Sequence, residues 1–128
     1  MLRFNVQIDE DIISNVLCSA IESGSGSGYW LDEVQVINFD SNLVTFDTSF
    51  QECPIYLVAL TDKQDAGLKI TTLYNDQTMF INRQRIIETL EIMANKYADL
   101  GNILSGNADA ADADIFLQIA CFGEVRYS

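Results

Sequence analysis

The first residues alternate loosely between apolar and polar. Phe4, Val6 and Ile8 share one face, which predicts a short strand. From Asp9 the spacing turns helical: Ile12, Ile13, Val16, Leu17, Ala20 and Ile21 recur on one side. Asp9 reads as the N-cap, Ile8 and Ile13 as a hydrophobic staple across it, and Glu10 and Asp11 as first-turn anions that suit the helix dipole. The helix is expected to stop near Ser23, with Gly24 taking the left-handed position after it. Residues 23–28 read S-G-S-G-S-G, a flexible joint, and Tyr29 and Trp30 follow. Val34, Val36 and Phe39 predict a strand, Asp40, Ser41 and Asn42 a turn, and residues 43–46 the hairpin partner. Pro54 precedes a third apolar run at 55–60, and residues 62–67 form a polar turn. Leu68, Ile70 and Thr72 then alternate into a fourth strand.

Asn82 is the next helix cap, with Ile81 and Ile86 at the staple positions. Ile86, Leu90, Met93, Ala94 and Tyr97 line one face of a second helix that ends near Leu100 and Gly101. Residues 102–109 read as a loop. A third helix is expected from about Ala110 to Phe122, stopped by Gly123, with Val125 and Tyr127 in a short final strand. The pattern predicts one α+β domain over residues 1–128. It consists of an antiparallel sheet of about four or five strands with three helices, the first and third packing their apolar faces on it.

Length agrees: 128 residues suit one domain, and a chain of this size buries enough surface to fold without metal or disulfide. Its 48% apolar content argues against a disordered tail. The three cysteines, Cys18, Cys53 and Cys121, are odd in number and far apart, so buried unpaired thiols are expected rather than a disulfide framework or a zinc cluster. Neither a signal-peptide pattern nor an apolar run long enough to span a bilayer is present, which points to the cytoplasm.

Candidate chemistry is sparse. The chain has no His, which excludes His-based acid–base catalysis, Ser-His-Asp and Cys-His nucleophiles and His-ligated metals. The Ser-Gly run follows a helix and is followed by no Lys, whereas a phosphate loop follows a strand and opens a helix. Asp109, Asp112 and Asp114 precede the third helix without the glycine and glutamate of a calcium loop, so capping explains them more simply than a cation. No motif calls for a cofactor or metal, and the chain reads as a non-enzyme. The adjacent Tyr29 and Trp30 are candidates to anchor a partner, with core packing as the alternative.

Charge is the sharpest feature. Nineteen acids face seven basic residues, for a net charge of −12. Between Arg3 and Lys63 there is no basic residue, while that stretch holds ten acids. A chain so charged is not expected to bind nucleic acid or an anionic membrane, which need Lys and Arg. Spaced carboxylates can instead occupy a protein groove built for a duplex, which carries one charge per ~1.7 Å of axis. Asp32, Glu33, Asp40 and Asp47, in or beside the predicted hairpin, are the candidate contact residues. The alternative is a solvated face that only maintains solubility.

Three patches carry a resemblance. Ala20-Ile21-Glu22-Ser23-Gly24 runs into Gly28-Tyr29-Trp30, a helix surrounds residues 86–94, and residues 112–127 read D-A-D-I-F-L-Q-I-A-C-F-G-E-V-R-Y. Together these resemble a family of small, mostly uncharacterised proteins carried by phages, prophages and plasmids. The resemblance covers about a third of the chain, lies mostly in helix core and helix stop, and brings no catalytic residue. It implies a mobile-element setting. With the acidity, it leads to the expectation of an accessory protein that inhibits a host defence complex of CRISPR or restriction type by presenting a DNA-mimicking surface. The partner would be a basic nucleic-acid-binding host protein or ribonucleoprotein. The alternative is a non-enzymatic interaction or scaffold module of a mobile element without such mimicry.

Overall fold

The computed structural model describes residues 9–22, 26–38, 64–74, 77–96 and 100–127. These form a small α+β domain in the order α1 (Glu10–Glu22), β1 (Leu31–Ile37), β2 (Gly67–Thr72), β3 (Thr78–Ile81), α2 (Arg83–Lys96), α3 (Leu100–Ser105) and α4 (Ala110–Phe122). The described strands make one antiparallel sheet in the order β1-β2-β3. The expected strands at 4–8, 43–46 and 55–60 lie outside the described residues, as do Asp40 and Asp47.

The helix boundaries follow from their caps. Asp9 Oδ1 accepts from the backbone N–H of Asp11 and Ile12 at 3.1 and 3.2 Å, so Asp9 caps α1 as expected. Asn82 Oδ1 accepts from Arg85 N–H at 3.0 Å and caps α2, with Ile81 and Ile86 both buried at the staple positions. Asp109 and Asp112 form a full capping box on α4, each side chain accepting from the other's backbone N–H. Gly123 ends α4 in the left-handed conformation (φ 77°), its N–H bonded to Ile119 O.

Three elements differ from the sequence expectation, one of them β3 (Thr78–Ile81), a four-residue strand that the pattern does not predict and that pairing with β2 creates. Residues 100–105 are a short separate helix, α3, which takes in the end expected for the second helix and the first half of the loop expected at 102–109. Leu100, Ile103 and Leu104 give it helical spacing, and Ile103 is fully buried. A Schellman turn closes it: Gly106 N–H bonds Ile103 O, and Asn107 N–H bonds Asn102 O. The tail containing Val125 and Tyr127 is not a strand, because a side chain, Gln118, takes its backbone donors. In addition, β3 pairs with β2 at a close approach: the Gly67 backbone lies so near Ile81 O that a side chain has no room there.

Helix α4 is the centre of the domain, packing against α1, α2, α3 and β3. Nine of its thirteen residues are buried, the polar Asp112, Asp114 and Gln118 among them, so it is enclosed nearly all round instead of on one face. Helix α1 lies against α4 and α3, and its packing runs through α4 where the sequence pattern implied the sheet. The core joins Ile13, Leu17, Trp30, Leu68, Ile70, Ile81, Ile86, Leu90, Met93, Phe116 and Leu117 among others.

The cysteines correct one expectation. Cys121 is a buried free thiol, which burial pushes up to about 12 despite the lowering influence of Arg85. Cys18 is disulfide-bonded. Distance along the chain is no guide to pairing in space, so separated cysteines did not exclude a bridge. Cys53 lies outside the described residues.

Candidate interaction surface

The joint between α1 and β1 determines where the candidate residues sit. Gly26 passes hard against the last turn of α1, where a side chain would meet Ser19 O and Ala20 O at 2.7 and 2.5 Å. Ser27 N–H bonds Ala20 O at 2.7 Å, and Ser27 O accepts from the N–H of both Trp30 and Leu31. Residues 26–30 thus pack back on the last turn of α1 and lead into β1.

Asp114, on the buried face of α4, holds that turn. Its Oδ1 accepts from Ser27 Oγ at 2.8 Å and Trp30 Nε1 at 2.7 Å. Its Oδ2 accepts from Tyr29 Oη at 2.6 Å and Gln118 Nε2 at 3.1 Å. Four donors, three from residues 27–30 and one from α4 itself, converge on one carboxylate, which offsets the cost of burying it. Trp30 is therefore a core residue, 0% exposed, with no face open to a partner. Tyr29 is split. Its hydroxyl joins the network while the residue is 44% exposed. Desolvation first, then the bond to the Asp114 carboxylate, push the phenol up to about 12.

Gln118, fully buried one turn further on, holds the C-terminal tail. Its Oε1 accepts from the N–H of Arg126 and of Tyr127, both at 2.8 Å, and its Nε2 reaches Tyr127 O at 3.0 Å. One amide side chain thus supplies both bonding partners that a neighbouring strand would supply. Tyr127 is fixed stacked on Trp30, with ring centroids 5.8 Å apart and planes within 10°.

Asp32 and Glu33 are both exposed, although they are consecutive in a strand. The β1–β2 register jumps from Leu31↔Thr72 to Glu33↔Thr71, so Asp32 is the extra residue of a bulge. That irregularity breaks the alternation that would turn one of the two inward. Their strand end carries more than the sequence indicated. Leu73 N–H bonds Trp30 O at 2.9 Å, so residues 73 and 74 leave the sheet beside Tyr29. Leu73 and Tyr74 are exposed, and the Tyr74 ring lies 5.9 Å from that of Tyr127. Sequence reasoning missed both residues. The alternation through Thr72 located the strand end, but its place beside Tyr29 depends on the β1–β2 register.

The described arginines are engaged within the chain: Arg83 with Glu10, Arg85 with Glu88, and Arg126 with Glu124. Among the described residues no group of three or more Cys, Asp or Glu side chains is arranged for a metal. A pocket of about 190 Å³ between α1 and the α3–α4 turn is walled by Ile12, Val16, Ala108 and Ala113. It is smaller than the roughly 300 Å³ at which small-molecule sites begin. No described helix is long and apolar enough to cross a membrane. Compared with protein-family models, curated proteins and solved structures, the chain matches none.

Proposed function

We propose that this protein is a non-enzymatic accessory protein of a phage or other mobile element. It binds a basic, nucleic-acid-handling host defence complex of CRISPR or restriction type, and its carboxylates occupy the surface that would hold nucleic acid. The supporting observation is charge: a net −12, with Asp32 and Glu33 side by side and exposed on β1 while three arginines are engaged with acids of the same chain. Unbalanced negative charge steers a protein toward basic grooves and away from nucleic acid and anionic lipid. Asp40 and Asp47 belong to the same proposal by sequence. The setting rests on the resemblance of the chain's ends to mobile-element proteins. Action in the host cytoplasm goes with this reading and requires that the chain stay folded with Cys18 reduced, since the cytosol keeps thiols reduced.

A second reading, an interaction module without mimicry, draws on the exposed Tyr29, Leu73 and Tyr74, which are contact residues of a general kind. A plaquing assay separates the two. Cells with an active CRISPR or restriction barrier and expressing the protein should admit a targeted phage at least a hundredfold better than cells without it. Asp32→Lys with Glu33→Lys should abolish the gain. Unchanged plaquing in both barriers contradicts the inhibitor reading.

A further inference from the structure

Tyr29, Leu73, Tyr74 and Tyr127 meet at one end of the sheet, where the tail held by Gln118 closes over Trp30. Tyr29 is 44%, Leu73 49% and Tyr74 53% exposed, so large apolar groups stand in water at a rigidly built place. Rigid tyrosines lose little entropy on binding and are favoured contact anchors. Asp32 and Glu33, both exposed, begin the strand that leaves this end three and four residues after Tyr29, so the patch has an acidic side. Charge narrows the occupant. A second copy would bring its own net −12 and its own acidic side against this one, and nucleic acid or an anionic bilayer would be repelled in the same way. What complements aromatic faces with carboxylates beside them is a guanidinium, which stacks on rings and bonds carboxylates at its edge. The chain holds one such arrangement internally: Arg126 Cζ lies 4.6 Å over the Phe122 ring while Arg126 Nε bonds Glu124 Oε1 at 3.4 Å.

We infer that the patch of Tyr29, Leu73, Tyr74 and Tyr127, with Asp32 and Glu33 beside it, is a docking surface for an arginine-rich protein segment. The inference rests on the proposed acidic-inhibitor reading and adds to it the selection of arginine over lysine. Lysine satisfies carboxylates alone, whereas arginine uses the rings as well.

The test titrates the full chain with two synthetic peptides of equal length and charge, oligoarginine and oligolysine, by calorimetry at low and physiological salt. The arginine peptide should bind at least fivefold more tightly. Tyr74→Ala and, separately, Leu73→Ser should bring it down to the lysine level while leaving the lysine peptide and the melting temperature unchanged. Tyr74→Phe should retain the preference. Asp32→Asn with Glu33→Gln should weaken both peptides alike. Equal affinity for the two peptides, with no effect of Tyr74→Ala, overturns the docking surface yet leaves the acidic reading standing. Absence of binding by both at low salt overturns both. Dimerisation of the wild type that Tyr74→Ala abolishes, with no peptide preference, assigns the patch to a second copy and also overturns the inference.

Discussion

Asp114 and Gln118 connect two segments that are distant in sequence: the turn at 27–30 that leads into β1, and the C-terminal tail. A carboxylate with four donors is costly to replace. Asp114→Ala leaves the buried Ser27 hydroxyl and Trp30 indole N–H without an acceptor, at about 1–3 kcal/mol for each unsatisfied group. Since Trp30 is the chain's only tryptophan, the variant should lower the melting temperature and shift its fluorescence to the red. Emission and melting unchanged from wild type would show that the network is not what fixes the joint. Cys121 and Tyr29 give a pH expectation. Both protons are held more tightly in the folded chain, to about 12 in each case, than in the unfolded one, where a thiol ionises near 9 and a phenol near 10. Their contribution is complete below those unfolded values and is lost as pH rises toward 12. Unfolding free energy should therefore fall with pH from about 9 upward, as denaturant melts across that range will read. At neutral pH the native Cys121 thiolate should be about a thousandfold scarcer than in an unperturbed thiol, so alkylation of its peptide should await unfolding.

At the scale of elements, what the sequence showed and what it concealed divide by range. The caps of α1, α2 and α4 were legible because each is a contact between residues two or three apart: Asp9, Asn82 and Asp109 with the first turns they serve. Gly123 was legible as a stop for the same reason. Helix α3 was not, because six residues containing Gly101 and Asn102 carry little propensity, and its position depends on burying Ile103 against the other helices. The second role of the Asp109–Asp114 segment was also concealed. Two of its carboxylates cap the helix as spacing implied, while Asp114 receives donors from 84 to 87 residues away. Helix α4 ends without a basic residue in its last turn, and α2 supplies one: Arg85 donates to the carbonyls of Ala120 and Cys121. Arg85→Ala should cost roughly 1.5–3 kcal/mol, the range of charge-assisted bonds, with Arg85→Lys recovering part of it. A melting temperature unmoved by Arg85→Ala would show that water serves those carbonyls equally well.

At the scale of the molecule, the net charge of −12 was visible in composition, but the grouping of Asp32 and Glu33 on one exposed strand end required the bulge, and the tyrosines beside them required the β1–β2 register and the Gln118 clamp. The disulfide at Cys18 adds a condition on where the protein acts. Disulfides commonly contribute about 2–4 kcal/mol, so excess reductant should lower the melting temperature yet leave a cooperative transition above 37 °C if the host cytoplasm is the site of action. Exposed acids that occupy a partner's nucleic-acid groove must compete with nucleic acid for it. The most direct measurement is competition: the DNA-binding subunit of the host complex, loaded with a labelled duplex, is titrated with the chain at about 50 and 200 mM salt, since phosphate-like contacts weaken steeply over that interval. The chain should displace the duplex, displacement should weaken at least tenfold at the higher salt, and Asp32→Lys with Glu33→Lys should lose it without a change in melting temperature. A complex that binds chain and duplex together, or a double reversal that competes as well as wild type, contradicts the proposed groove binding.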